Sequence, residues 1–363
     1  MINYLKKAAA ALLLAGTSTL AFAQSACDSV LSDYSYWIGF DPAYAAQIVT
    51  NHPECFGGGS ATSSSEITAT SFSQAFAISR AIGSRLNSGS GGPLASAGAA
   101  TTGLAAGSTP QAWNVWGNID QNETDFSYFS NAGRSRGAND VQTTVLGVDY
   151  AVTPQMVVGL SLAMDRGDGW GQRNNNARNV NDIDGYLLAP YLGYQINKEW
   201  ALDVSAGLGE GDFSATGGIR AEADRWFAAA NLSYARWVGN WQFTGKASYL
   251  HGEEDYGNTK VNGVVQVKTA STNTLDQVRI GAQAGYWLNG FMPYAGLAYT
   301  SNIDRSSDLG NPPPVGRDTL VATLGVNFFS LSSKITGGVF YEEELSRTNS
   351  DNHVISANIN FRF

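Results

Sequence analysis

The sequence predicts an all-β fold: a 12-stranded antiparallel transmembrane β-barrel, preceded by a short α-helix and a small disulfide-containing N-terminal segment. Three observations carry this. From Ala112 onward, units of roughly ten residues alternate apolar side chains with small or polar ones. The connections between units alternate between very short and long. After the first 23 residues no apolar run approaches the ~18 residues that a membrane helix needs. In lipid every backbone polar group must be paired within the protein, so a chain without such helices spans as a closed barrel.

Composition agrees. The 363 residues are 43% hydrophobic and 15% charged, with 41 Gly, 9 Trp, 16 Tyr and 16 Phe. A mean hydropathy of -0.16 fits a membrane signal carried by alternation. The net charge of -9 speaks against a nucleic-acid partner and fits acidic loops at a cell surface.

Residues 1–23 read as an export signal. Lys6 and Lys7 supply the positive end, Ala8 to Ala15 the apolar core, and Ala21-Phe22-Ala23 an A-x-A site, with cleavage after Ala23. A lipoprotein reading at Cys27 is the alternative, with Gln24 standing where an apolar residue is wanted. Cys27 and Cys55 reach an oxidising periplasm on this reading and are expected to pair. The closed loop would add ~3 kcal/mol in the chain-entropy model. Residues 24–65 therefore form a short, passenger-like segment that ends in a Gly/Ser/Thr linker from Gly57 to Ser65.

Residues 66–110 combine a helix and a low-complexity tract. From about Glu66 to Leu86, Phe72, Ala75, Phe76, Ser79, Ile82, Gly83 and Leu86 share one face, flanked by Arg80 and Arg85. One reading is an ordinary packed amphipathic helix. The other is a helix threaded through the barrel, with Phe72, Phe76, Arg80, Ile82 and Arg85 as its pore residues. Asn87 to Pro110 is rich in Gly, Ser and Ala without periodicity.

Residues 111–363 carry the barrel, with strands expected at 112–120, 142–152, 155–165, 184–196, 199–210, 225–238, 240–251, 273–289, 291–300, 319–329, 333–344 and 353–363. Trp200, Leu202, Val204, Ala206 and Leu208 should face lipid, and Ala201, Asp203, Ser205, Gly207 and Gly209 the lumen. Likewise Trp241, Phe243, Ala247 and Tyr249 oppose Gln242, Thr244, Lys246 and Ser248. Thr153-Pro154, Asn197-Lys198, Gly239, Asn289-Gly290 and Ser330 to Ser332 are expected tight turns. Long loops are expected near 121–141, 166–183, 211–224, 252–272, 301–318 and 345–352. Short turns then face the periplasm and long loops the outside. Tyr150, Tyr194, Trp200, Trp237, Trp241, Trp287, Phe291 and Phe328 crowd the short-turn side as interfacial anchors.

Reactive chemistry is thin. The three histidines are scattered: His52 in the disulfide loop, His251 before Glu253, Glu254 and Asp255, and His353 at the last strand. The acidic stretch after His251, and Asp165 to Asp168 with Arg166, read as solvated loop charges before they read as cation sites. No G-x-S-x-G nucleophile pattern is present. Asp203, Lys246, Arg279, Lys334, Glu342 and Arg362 are expected to make pore-lining salt bridges, because exposing a charge to lipid costs ~2–4 kcal/mol at the midplane. Neither a catalytic site, a metal nor a cofactor is expected.

The order of these pieces resembles the autotransporter β-domain, the translocator of type V secretion. The export signal, the short N-terminal segment, the helix, the opening strand Ala112-Trp113-Asn114-Val115-Trp116-Gly117, the twelve strands and the ending Asn360-Phe361-Arg362-Phe363 carry the resemblance. It implies a monomeric barrel in the outer membrane of a Gram-negative bacterium that exports or displays its own N-terminal segment. It also implies periplasmic chaperones and the barrel-assembly machinery as partners. The sorting signal would be Phe363, with Phe361, Ile359, Ala357 and Ile355 on the same face. Two alternatives stand beside it: a plugged barrel whose loops bind surface partners, and a diffusion pore.

Overall fold

The computed structural model describes residues 113–130, 133–173, 178–267, 269–307, 315–330 and 334–363, with isolated earlier positions that include Ile78. The expected cleavage site at Ala23, Cys27, Cys55, and the helix residues Phe72, Phe76, Arg80, Ile82 and Arg85 lie outside the described residues.

Alternating side chains and short turns build one antiparallel sheet. Its long strands are β1 (Trp113–Ser130), β2 (Gly133–Thr153), β3 (Met156–Arg173), β4 (Asn179–Gln195), β5 (Trp200–Ala215), β6 (Ile219–Val238) and β7 (Trp241–Tyr256). After the two-residue strands β8 (Lys260–Val261) and β9 (Val264–Val265) come β10 (Ser271–Tyr286), β11 (Phe291–Ser307), β12 (Asp318–Ser330), β13 (Ile335–Glu344) and β14 (Ser350–Arg362). Each long strand pairs with its neighbour in sequence, and β1 pairs with β14, from Asn114↔Arg362 to Phe126↔Ser350. The twelve long strands thus close on themselves and leave no free edge in the wall.

Facing follows the sequence pattern. Trp200, Leu202, Val204 and Leu208 are exposed on the outer surface, while Ala201, Asp203 and Ser205 are buried on the inner one. Trp241, Phe243 and Tyr249 oppose the buried Gln242 and Ser248 in the same way. The exposed apolar band lies between two aromatic rings. Trp113, Tyr150, Tyr194, Trp200, Trp241 and Phe291 mark the short-turn end, and Tyr186, Tyr249, Tyr299 and Tyr341 the other. About eight residues separate Trp241 from Tyr249, ~26 Å at strand rise, which matches the ~25 Å apolar band of such barrels. At the short-turn ring, register partners pack in tilted or edge-on pairs: Trp113–Tyr150, Trp200–Tyr234 and Trp241–Tyr286, each with centroids 5.0 Å apart.

The turns behave as expected where they are described. Asn289 and Gly290 both have positive φ, 48° and 102°, the geometry of a tight hairpin. Asn197 Oδ1 accepts from the backbone amides of Glu199 and Trp200, both at 2.9 Å.

The long loops need correction. Residues 121–141 are mostly strand: β1 and β2 continue in register to Ser130↔Gly133. Most of 166–183 and 211–224 likewise belongs to β3–β4 and β5–β6. Above the membrane both faces of a strand can be polar, so the apolar alternation stops while the backbone ladder continues. The stretch 252–272 holds the end of β7 and the β8–β9 hairpin, which adds to β6 through Ile219↔Val261. By contrast β12, β13 and β14 have only 13, 10 and 13 residues, so the rim is low on that side. Two aromatics also face otherwise than expected. Trp237 and Trp287 lie at inward positions of the strand alternation, and Trp287 packs on Phe329 at 5.3 Å.

Candidate functional site in the barrel lumen

The inner wall from β1 to β6 is built on glycines. Side chains lie flat across it, each over a position where a Cβ would clash. Trp116 covers Gly147 and Tyr191 covers Gly159, with ring atoms 2.2 Å from where either Cβ would stand. Their ends meet: Trp116 Nε1 donates to the Tyr191 hydroxyl at 2.7 Å. That hydroxyl lies 3.2 Å from Asp149 Oδ2, which also accepts from Asn114 Nδ2 at 2.9 Å. Phe227 covers Gly207 in the same manner.

Two residues further toward the long-strand end, Arg225 crosses β5 and β4. Its Nε donates to Glu254 Oε1 at 2.7 Å on neighbouring β7, and its Nη1 reaches Asp165 Oδ2 at 2.9 Å on β3. The path runs over Gly211 and Gly185, which are register partners. A Cβ on Gly211 would stand 2.3 Å from Arg225 Cζ, and one on Gly185 2.3 Å from Nη1. All three charged side chains are buried. Two charge-assisted bonds offset the desolvation of the guanidinium. The far wall carries Arg279, bidentate to Glu342 at 2.9 and 3.0 Å, with Thr323 also donating to that carboxylate.

Between these polar belts lies an apolar patch: Trp116, Val145, Ala163, Leu187, Tyr191, Phe227 and Leu250. Ile78, helical and fully buried, belongs to the same cluster. It was not among the residues assigned to the apolar helix face.

The expected lumen charges divide. Arg279 and Glu342 pair as predicted. Asp203 is buried inward and accepts from the Asn231 side-chain amide at 2.7 Å. Arg362 is buried and Lys246 half-buried. Lys334 is no lining residue: it is an exposed turn residue with φ 56°, just before β13. Of Asp165 to Asp168, only Asp165 points inward among the charged residues; Arg166 and Asp168 are exposed. Arg225 and Glu254 were missed as a pair, although 29 residues apart on neighbouring strands they were findable once register was known.

Outside the lumen, His251 Nδ1 lies 2.9 Å from Asp276 Oδ1, and His353 Nε2 lies 3.0 Å from Glu123 Oε2. No cluster of three or more potential metal ligands occurs among the described residues. Phe361 and Phe363 are exposed on the outer face with Ile355 and Ile359. The backbone of Phe363 exchanges two hydrogen bonds with Trp113, both 3.2 Å.

A family model described as "Autotransporter beta-domain" matches residues 115–342. Among solved structures, the translocator domain of autotransporter NalP from Neisseria meningitidis is 14% identical with a TM-score of 0.54, covering 80% of this chain and 99% of its own. The beta domain of the Bordetella autotransporter BrkA is 15% identical with a TM-score of 0.51, covering 69% of this chain and 100% of its own. The transport unit of autotransporter AIDA-I from Escherichia coli is 11% identical with a TM-score of 0.54, covering 69% and 90%. At these identities the likeness is one of fold. No curated protein sequence matches the chain.

Proposed function

The chain belongs to the autotransporter β-domain family, and from that premise we propose that its barrel inserts in the outer membrane and carries its own N-terminal segment, residues 24–65, to the cell surface. On this reading the protein is a translocator, not an enzyme. Residues 1–23 direct export and are removed after Ala23. The Cys27–Cys55 bridge compacts the segment that is displayed. Helix residues around Phe72, Phe76, Arg80, Ile82 and Arg85 occupy the lumen once transport is complete. Phe363 and Phe361, at the seam between β14 and β1, serve as the signal read by the assembly machinery.

The observation that supports this best is Ile78. It lies ahead of the barrel in sequence and is buried among inward residues of β1 to β7. An apolar patch facing an open aqueous lumen would be costly; a helix on it removes that surface from water. The flat, glycine-floored wall of β1 to β6 leaves room for such a helix.

The decisive experiment places an epitope tag next to Cys27 and labels intact cells. The expected result is surface labelling that needs an assembled barrel. A tag accessible only after the outer membrane is permeabilised would overturn the export reading.

A further inference from the structure

The tall side of the rim, at β1 to β4, carries a charge pattern opposite to that of the whole chain. The protein holds 31 Asp and Glu against 22 Lys and Arg, yet residues 126–139 and 169–181 contain arginines at 134, 136, 173 and 178 and neither Asp nor Glu. These stretches supply the outer ends of β1, β2 and β3 and the start of β4.

Register gathers part of this set on the outward face. Phe129 stands opposite Arg134, Ser127 opposite Arg136, Arg136 opposite Gln172, and Ala138 opposite Trp170. Contacts run across that face: Arg134 Nε donates to Ser127 Oγ at 3.3 Å, and Arg136 Nε to Gln172 Oε1 at 2.9 Å. Two aromatic rings each have an arginine beside them. Arg134 Cζ lies 5.9 Å from the Phe129 ring centroid, and Arg178 Cζ, just before β4, 3.9 Å from that of Trp170. Phe129 is 79% exposed, and Val180, the register partner of Trp170, 48%. Four residues separate Arg134 from Ala138, ~14 Å along the strand. The face therefore suits an extended ligand better than a single ion.

Below it the sign reverses. Glu123, Asp140, Asp168 and Asp182 are register partners in one row across β1 to β4, on the same outward face. Arg136 and Arg134 stand four and six residues beyond Asp140, ~13 and ~20 Å along the strand. Both distances exceed the Debye length of ~8 Å at physiological salt, so the carboxylates do not cancel the field of these arginines. Tyr186 of the outer ring pairs with Met164, six residues before Trp170. An anionic headgroup at the membrane surface has to pass the carboxylate row to reach the arginines; an anionic chain arriving from outside does not.

We propose that Phe129, Arg134, Arg136, Trp170 and Arg178 form a docking face for an acidic polysaccharide, a chain of sugars bearing sulfate or carboxylate groups. Guanidinium forks pair with such oxyanions. Phe129 and Trp170 offer apolar surface to the C–H faces of sugar rings, and the adjacent arginine holds positive charge beside each ring. The net charge of -9 disfavours a stiff polyanion laid across the whole rim, such as duplex DNA, whereas a flexible chain engages the tip alone. The proposal rests on the long-strand rim lying outside the outer membrane and not on where the N-terminal segment goes.

The test is binding of the full-length barrel in detergent to immobilised dextran sulfate, followed by interferometry, with unsulfated dextran as reference. Wild type is expected to bind dextran sulfate saturably at physiological salt, more weakly as salt rises, and not to bind dextran. Replacing both Arg134→Ser and Arg136→Ser should weaken binding at least tenfold, and Trp170→Ala at least threefold. Arg220→Ser, at the exposed start of β6, should bind as wild type. Heat-modifiable migration on gels verifies that each variant is folded. Absence of saturable binding in wild type, undiminished binding in the folded double variant, or an equal loss in Arg220→Ser overturns the proposal. Duplex DNA bound as tightly as dextran sulfate overturns the choice of a polysaccharide. Surface labelling of a tag beside Cys27 is a separate readout, so failure of export and failure of docking are distinguishable.

Discussion

Arg225 and Asp165 stand on strands separated by two others, yet their side chains meet at 2.9 Å inside the wall. The contact exists because Gly211 and Gly185 leave the intervening strands bare at the crossing points. Adding a methyl group at Gly211 should therefore act on the ion pair. Gly211→Ala is expected to destabilise the barrel by about 3–5 kcal/mol, the range for breaking a buried pair by displacing one partner. Arg225→Met should fall in the same range, since it leaves two buried carboxylates facing each other. Urea unfolding followed by tryptophan fluorescence measures both; midpoints within error of wild type would show that the crossing contributes nothing.

The Trp116–Tyr191 contact calls for a finer comparison. Tyr191→Phe removes one hydroxyl, and with it the acceptor for Trp116 Nε1 and the link to Asp149. The expected cost is about 1–3 kcal/mol, because a buried donor loses its partner. Gly147→Ala should cost more, because the indole must leave its floor altogether.

Ile78 supplies a prediction about the pore. If the helix fills the lumen, deletion of residues 24–110 should raise single-channel conductance in planar bilayers several-fold. Ile78→Asp should do so in part, since a carboxylate is not tolerated against Trp116 and Phe227. Equal conductance of all three proteins would remove the helix from the lumen.

The last residue can be tested in cells. Removing Phe363 deletes an exposed aromatic and two backbone bonds to Trp113 at the closing seam. The expected outcome is loss of most heat-modifiable barrel from isolated outer membranes, with the unfolded chain retained in the periplasm or degraded. Phe363→Tyr should assemble normally.

The β8–β9 hairpin carries a pH signature. Lys260 Nζ donates to Glu222 at 2.8 Å, and this bond and charge hold the Glu222 carboxyl below the usual glutamate range. A depressed folded-state pKa stabilises above the unfolded value and loses that contribution as pH falls through the folded one. Protection of the Asn262 amide, bonded to the Gly218 carbonyl at 2.9 Å, should therefore hold from neutral pH down to the ordinary glutamate range and decline only below it. Glu222→Gln should abolish that pH dependence in hydrogen exchange.

Much of this architecture was legible because lipid imposes it. β5 could be read residue by residue, since Trp200, Leu202 and Val204 must meet hydrocarbon while Ala201, Asp203 and Ser205 must not. The Asn289-Gly290 turn was legible because both positions take positive φ. Legibility ended where lipid ends. Nothing in the composition of 121–141 distinguishes a loop from a polar ladder, and the ladder formed. The lumen was harder still. Alternation places Asp165 and Arg225 inside, but their meeting depends on register across four strands and on two glycines. Ile78 escaped because it lies off the i, i+3, i+4 stripe of Phe72 and Phe76, so spacing alone gives it no place on the apolar face. Lys334 failed for a local reason: it lies before the first residue of β13, where the chain is still turning.

The glycine floors also reshape what tolerance to change means in this protein. Gly147, Gly159, Gly185, Gly207 and Gly211 carry no functional group, and each is marked by the outline of another residue's side chain. A saturation scan of the barrel should reveal them as negative images of Trp116, Tyr191, Arg225 and Phe227. Damage at a glycine and damage at the side chain above it should share one phenotype. Pairing the two profiles would chart the inner wall from barrel-assembly data alone.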